Sequence, residues 1–271
     1  MISSSGGLAV LAARLRSLRP GLQGAHARVV DVVLEDPEFI TAATAQQIAD
    51  RAGVSAATVV RAVRTAGFSG LPELKLVLAR AAGSPEGSGT TRPQLSQAHS
   101  VADLIDVVTA SHAESLTIAR GTVDSTALAE AVGLLRRAGR VLVTASGTSL
   151  PIAEDAAYRL TMSGVTTQHS ADTYTAILLA GQLDAADTVL AVSHSGETRQ
   201  TLDVVEAARA AGARTVAVTS YSQSTLARTA EVPLVAVGSA AAGHLVESSS
   251  RIAHLAVIDV LHTALVLDLP G

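Results

Sequence analysis

The sequence predicts an all-helical N-terminal domain followed by an α/β domain built on parallel strands. Three observations predict it. Apolar residues recur at spacings of three and four in the first eighty positions, as in Leu8, Leu11, Leu15 and Leu18. Short β-rich runs alternate with helix-length stretches after residue 140. Between these textures lies GSPEGSGTTRP, Gly83 to Pro93, whose small and turn-forming residues neither continue a helix nor pack a strand. The expected division is an N-terminal domain over 1–82, a linker over 83–100 and the α/β domain over 101–271.

Composition narrows the chemistry. The chain has 271 residues, 48% of them apolar, which is enough for a sizeable core. Two Phe, three Tyr and no Trp disfavour a surface built on base stacking. The lack of Cys excludes disulfides, thiolate zinc and a cysteine nucleophile. A net charge of -4 argues against a uniformly basic nucleic-acid binder, but the average conceals a division. Residues 1–90 carry eight Arg and Lys75 against seven acids, whereas the remainder carries eleven Arg against seventeen acids. The first part is thus mildly positive and the second negative, so the two have different electrostatic roles.

No run reaches the ~18 to 20 apolar residues of a membrane-spanning helix. The most apolar stretch, Leu255 to Leu267, is broken by Asp259 and His262. Arg14, Arg16 and Arg19 follow the first apolar run instead of preceding it, unlike a secretory signal. A cytoplasmic protein with no membrane partner is expected.

Within the first domain, Val29, Val30, Val33 and Leu34 mark a second helical face. Thr44-Ala-Gln-Gln47 then fits a capping box, in which the Thr hydroxyl and the Gln side chain satisfy backbone donors at a helix start. A helix over Ala45 to Arg51 follows, Gly53 supplies a left-handed turn, and Ser55 caps a second helix running to about Thr65. Ile48, Ala49, Val54, Val59 and Val63 form the seam of this helix-turn-helix. Ser55, Ala57, Thr58, Arg61 and Arg64 avoid that seam, which suits short polar groups reading base edges and Arg gripping guanine or phosphate. The plain alternative is a helical hairpin with a solvated polar face.

The stretch from Gly21 to Arg80, with LEDPEFI, TAQQIADRAGVSAATVVRAVRTAGFSG and LPELKLVLAR, resembles the N-terminal DNA-binding domain of RpiR-type bacterial transcription regulators. The resemblance implies that Ser55, Thr58 and Arg61 face DNA, with Arg64 and Lys75 on phosphate. Ala56 and Ala57 stand where such proteins often carry larger polar residues, so base specificity is expected to be narrower or to rest more on DNA shape.

Downstream, helices are expected near 101–119 and 125–138. Strands are expected at Val141 to Thr144, Val165 to Gln168, Thr188 to Val192, Thr215 to Thr219 and Val232 to Val237, and a final helix at about Ser248 to Leu267. Continuous apolar runs of this length indicate a five-stranded parallel sheet buried on both faces. Two turns then stand out. Ala-Ser-Gly-Thr-Ser, 145–149, follows the first strand and leads to a helix with Pro151 in its first turn. Ser193-His-Ser-Gly-Glu-Thr198 follows the third strand. Both sit at carboxyl ends of parallel strands, where open α/β sheets bind ligands. Both combine hydroxyls, a glycine and helix N-terminal amides, the groups that converge on a phosphate dianion. Hydroxyl residues at a helix start are also ordinary caps. Neither turn matches Gly-x-Gly-x-x-Gly or a P-loop, so dinucleotide and nucleoside triphosphate sites are disfavoured.

Residues 125–267 resemble a sugar isomerase (SIS) domain, a three-layer αβα sandwich that binds phosphosugars, through Ser-x-Ser-Gly-Glu-Thr, Gly147-Thr-Ser149 and RAAGARTVAVT ending at Thr219. The resemblance implies that Ser149, Ser193, Ser195 and Thr198 hold phosphate through hydroxyls, and Gly147, Thr148 and His194 through backbone or ring-edge contacts. Glu197 suits a structural hydrogen bond. Glu247, opening the last helix, falls near the sugar ring of its own or a partner's pocket, or is a solvated helix start.

The eight His show no metal-ligand spacing, and no nucleophilic triad assembles, so neither metal, cofactor nor catalytic residue is assigned. His254 and His262 are read as packing on polar neighbours, and Asp155, Asp184 and Asp187 as solvated. The two resemblances together imply a transcription regulator of carbohydrate metabolism that is not an enzyme. It would bind a palindromic double-stranded operator as a homodimer or dimer of dimers, under control of a hexose, amino-sugar or muramic acid phosphate. The alternative is an aldose–ketose phosphosugar isomerase with a helical extension, moving protons through Glu247 with His244 or His254.

Overall fold

A computed structural model describes residues 7–82, 98, 100–239 and 246–269, without the side chains of 80, 82 and 246–249. The proposed linker therefore lies almost wholly outside the described residues, as does His244.

Six helices form the N-terminal domain: α1 (Leu8–Leu18), α2 (Gly24–Glu35), α3 (Pro37–Ala42), α4 (Ala45–Ala52), α5 (Ala56–Thr65) and α6 (Leu71–Ala82). Their starts are written locally. Asp36 accepts from the Phe39 amide with Pro37 in the first turn, both arms of the Thr44 and Gln47 capping box are formed, and Ser55 accepts from the Thr58 amide. Gly53 ends α4 with φ 62, the left-handed conformation that favours glycine. Leu11, Leu15, Val29, Val33, Ile40, Ile48, Val59, Val63, Phe68 and Leu74 are among the buried residues of one core.

The α/β domain begins with α7 (Val101–Thr122) and α8 (Ser125–Arg137). Then β1 (Val141–Ala145), β2 (Thr167–His169), β3 (Thr188–Val192), β4 (Arg214–Thr219) and β5 (Val232–Val235) alternate with α9 (Leu150–Met162), α10 (Thr173–Ala180), α11 (Arg199–Ala210) and α12 (Thr225–Thr229). Helix α13 (Val246–Val266) closes the fold. All strands are parallel, in the order β2-β1-β3-β4-β5. The pleat divides the core. Val141, Val143, Leu190 and Val218 pack against α8, α9 and α13, while Leu142, Val189, Ala191 and Ala217 pack against α10, α11 and α12. The predicted three-layer sandwich is the observed one.

Three details differ from the sequence reading. Strand β2 starts at Thr167, not Val165, because the Val165 amide donates to the Leu160 carbonyl and closes the end of α9 around Gly164, φ 82. Strand β5 ends at Val235, and the Val237 amide has turned to the Thr122 hydroxyl of α7. Asp187, expected in solvent, is 3% exposed: Arg140 donates to its carboxylate through Nε and Nη2, and the Asp184 amide donates to it as well. Among the described residues, no helix is long and apolar enough to cross a membrane.

Candidate functional sites

The first candidate site is the outer face of α5. Val59, Ala62 and Val63 are buried in the core, so Ser55, Arg61 and Arg64 are exposed and Thr58 half-exposed on the opposite face. The Ser55 and Thr58 hydroxyls lie 2.9 Å apart, and Arg61 Nη2 is 3.4 Å from Thr58 Oγ1. Arg64 Nε donates to the Ser69 carbonyl at 3.3 Å, which holds it over the turn into α6, where Lys75 is half-buried. Other basic residues of the domain are occupied in holding it together. Arg19 pairs with Asp31, Arg28 donates to the Ala52 and Gly53 carbonyls, and Arg51 pairs with Asp36 while lying 4.7 Å from the Phe39 ring centroid. The Phe39 amide and then Arg51 hold the Asp36 carboxyl below its ordinary range, so Asp36 stays charged as both cap and partner.

The second candidate site lies at the carboxyl edge of the sheet. Ala145 pairs with Val192, so the turns after β1 and β3 emerge side by side. In this strand order the chain reverses between β1 and β3, the place where a crevice opens in such sheets. Gly147 and Gly196 both take left-handed φ, 61 and 66. In the first turn Gly147 and Thr148 are exposed and Ser149 is buried. In the second, Ser193 is buried beneath the turn, with its Oγ accepting from the Gly196 amide at 3.1 Å and lying 3.2 Å from Thr198 Oγ1. Ser195 Oγ accepts from the Glu197 amide at 3.2 Å. Glu197 turns to the Thr225 amide at 2.7 Å, the structural hydrogen bond expected of it.

The helix starts at these turns differ from the capped starts elsewhere in the α/β domain. Ser100, Asp124, Asp172 and Ser224 cap α7, α8, α10 and α12 through their side chains, whereas α9 and α11 begin at Ser149 and Thr198 with no side-chain cap bond. At α9 the Leu150 amide donates to the Gly147 carbonyl and Pro151 has no amide hydrogen, so it is α11 that opens with first-turn amides left for an anion in the crevice.

His194 directs Nδ1 to the Ser220 hydroxyl at 2.9 Å, and its ring lies 5.4 Å from Tyr221. The Ser220 hydroxyl is also 3.1 Å from Nε2 of His254, which is fully buried. Burial, reinforced by neighbouring His194 and only partly opposed by the Ala236 carbonyl, pushes the His254 imidazole down to about 3, so it is neutral at physiological pH. His262 accepts or donates at the Ser163 hydroxyl, 2.7 Å away. Both histidines thus pack on polar neighbours. Glu247 lies in the first turn of α13, and its side chain is outside the described residues. Sequence reasoning missed the segment after β4, Thr219-Ser-Tyr-Ser-Gln-Ser-Thr225, although its density of serines at a third strand end was a readable signal. A cavity of about 290 Å³ lies away from both sites, at the seam between the domains, where Leu11, Leu15, Phe68, Pro233 and Val235 make it apolar and unsuited to phosphate.

The two candidate sites thus lie on separate units, a helix-turn-helix formed by α4 and α5 and a switch-point crevice at the carboxyl edge of the sheet. The sequence profile of the rpiR-family helix-turn-helix domain matches residues 9–85 and that of the SIS domain matches 134–264. The chain thus carries an rpiR-family helix-turn-helix domain followed by an SIS domain. It is 27% identical over 257 residues to an uncharacterized HTH-type transcriptional regulator of Haemophilus influenzae, covering 93% of this chain and 88% of that one. It is 32% identical over 251 residues to the bifunctional protein glk of Burkholderia thailandensis, spanning 92% of this chain but only 38% of that protein's length. In structure it is similar to Vibrio vulnificus NanR complexed with ManNAc-6P, with a TM-score of 0.58 and 26% identity, covering 96% of this chain and 92% of that one.

Proposed function

We propose that the protein is a DNA-binding transcription regulator whose operator affinity is controlled by a phosphorylated sugar held between the two serine turns. The observation that carries this reading is the pairing of those turns on adjacent strands β1 and β3, each followed by a helix start without a side-chain cap. A phosphate dianion supplies an acceptor for the first-turn amides of α11, and the hydroxyls of Ser149, Ser193, Ser195 and Thr198 rotate to donate to it. Gly147, Thr148 and His194 contribute through backbone, and Glu247 serves the sugar ring. NanR binds an amino-sugar phosphate, which makes that class the first to test here, ahead of other hexose and muramic acid phosphates.

On the DNA side, Ser55, Thr58 and Arg61 read base edges while Arg64 and Lys75 hold phosphates of a palindromic operator. Residues 1–82 form the DNA-binding domain, 83–100 the linker and 101–271 the sensor. A homodimer, alone or paired into a dimer of dimers, presents two recognition helices to the two half-sites. Exposed apolar pairs four residues apart, Tyr174 with Leu178 on α10 and Tyr158 with Met162 on α9, offer surfaces for a second copy to cover. A regulator of this kind works in the cytoplasm and turns over no substrate. Full burial of His254, bonded to Ser220, also removes one of the two histidines, His244 and His254, that the isomerase alternative could pair with Glu247.

A thermal-shift panel of hexose, pentose, amino-sugar and muramic acid phosphates tests the reading. At least one compound is expected to stabilise the protein, and the Ser193→Ala, Ser195→Ala double variant is expected to lose that response. A panel with no response, or an undiminished one in the double variant, contradicts the site.

A further inference from the structure

The segment after β4, Thr219 to Thr225, touches the sensor turn on one side and the N-terminal domain on the other. Toward the turn, the Ser220 amide and the Thr219 hydroxyl donate to the His194 carbonyl, at 3.1 and 3.2 Å. The amides of Thr225 and Leu226 donate to Glu197 Oε1 and to the Gly196 carbonyl, at 2.7 and 3.0 Å. Toward the N-terminal domain, the Ser222 hydroxyl lies 3.3 Å from the Ser17 hydroxyl of α1, and Gln223 lies against Gly21 just beyond α1.

Both contacts are closed to any added atom. A Cβ on Gly196 would fall 2.1 Å from Ser224 Oγ, and one on Gly21 would fall 2.3 Å from Gln223 Cβ. The middle of the segment is anchored inside the fold. The buried Ser220 hydroxyl donates to the Ala236 carbonyl and sits between the imidazoles of His194 and His254. Close-packed groups transmit a displacement instead of absorbing it. A dianion drawing in the 193–198 turn pulls the His194 and Gly196 carbonyls to which the segment is bonded, and the far side of the segment bears on α1.

We propose that the 219–225 segment relays occupancy of the serine turns directly to α1 within one protomer, by a route separate from the 83–100 linker. This rests on the effector reading above. It makes Ser17, Gly21, Ser222 and Gln223 coupling residues, although none of them touches the serine turns or faces DNA with α5.

The chain has no native Cys, so Ser17→Cys with Ser222→Cys in the full-length protein gives a reversible lock on the relay. Coupling is reciprocal, so holding the segment on α1 alters ligand affinity at the distant turns. N-acetylmannosamine 6-phosphate, followed by calorimetry, is expected to bind the oxidised form at least about fivefold more weakly than the reduced form. Equal affinity in the two forms overturns the relay. If this probe does not bind the reduced protein, the effector reading fails for that compound, and a ligand-free arm still decides the relay. Gly196→Ala drives a methyl into Ser224, whereas Gly147→Ala imposes the same left-handed strain with nothing within 4 Å of its methyl. Amide exchange over residues 8–22 is expected to rise about fivefold in the first variant and to stay unchanged in the second. No rise, or an equal rise in both, overturns the relay. Gly21→Ala pushes the same segment from the α1 side and serves if Gly196→Ala does not fold. It is expected to change exchange over 193–198, and an unchanged turn there counts against the proposal as heavily.

Discussion

Asp187 shows what one residue does when its partner is remote in sequence. Its charge is 4% exposed, and burial alone would raise its pKa, but the Arg140 guanidinium and the Asp184 amide outweigh that and hold the carboxyl below its ordinary range. Because the folded pKa is depressed below the unfolded value of about 3.9, the pair stabilises the fold above that pH and the contribution is lost as pH falls through the folded value. Asp187→Ala is expected to cost about 3 kcal/mol at pH 7, the low end for a broken buried pair because Arg140 is one-third exposed. Denaturant midpoints should show the gap from wild type closing below about pH 4. His254 acts in the same direction by another cause. Its native imidazole stays neutral down to about 3. The unfolded chain takes up that proton near pH 6.5, so stability declines as pH drops from there, and His254→Gln should flatten the slope. The Thr44 and Gln47 capping box was legible because its partners are three residues apart. Asp187 was not, since Arg140 is 47 residues away and nothing local announces the pair.

At the scale of elements, turn chemistry was the most readable layer. The place of Gly53 between two capped helices predicts a left-handed turn, and its φ of 62 is left-handed. Nothing lies within 4 Å of a Cβ built there, so Gly53→Ala tests the backbone alone and should lower stability by about 1 to 2 kcal/mol, read by thermal unfolding. Helix α5 presents its polar face because Val59, Ala62 and Val63 fix its rotation in the core. Arg61→Ala should therefore weaken operator binding by about 1 to 3 kcal/mol while sugar-phosphate affinity stays at the wild-type value, each measured by titration. The serine turns could be placed at strand ends from sequence, but their adjacency could not, because it depends on β3 pairing with β1 instead of β2. Strand β2 begins two residues later than its sequence predicts for a related reason: Val165 is β-branched, yet it serves to close α9.

Across the whole molecule, the division of charge becomes a division of labour. The mildly basic helical domain carries the exposed Arg61 and Arg64, and the acidic α/β domain carries the proposed site of amides and hydroxyls, so neither proposed task needs aromatic residues. What sequence could not supply is the contact between the halves, in which Ser17 and Ser222 meet across 205 positions. A helix-turn-helix and a phosphate site in one chain make a regulator only if occupancy of one changes the other. The direct measurement is a fluorescence anisotropy titration of full-length protein on a palindromic fragment selected from random double-stranded DNA. It is run with and without the sugar phosphate that gives the largest thermal shift. The expected result is a change in DNA affinity of about five- to 150-fold. Identical affinities with the sugar phosphate bound would contradict it.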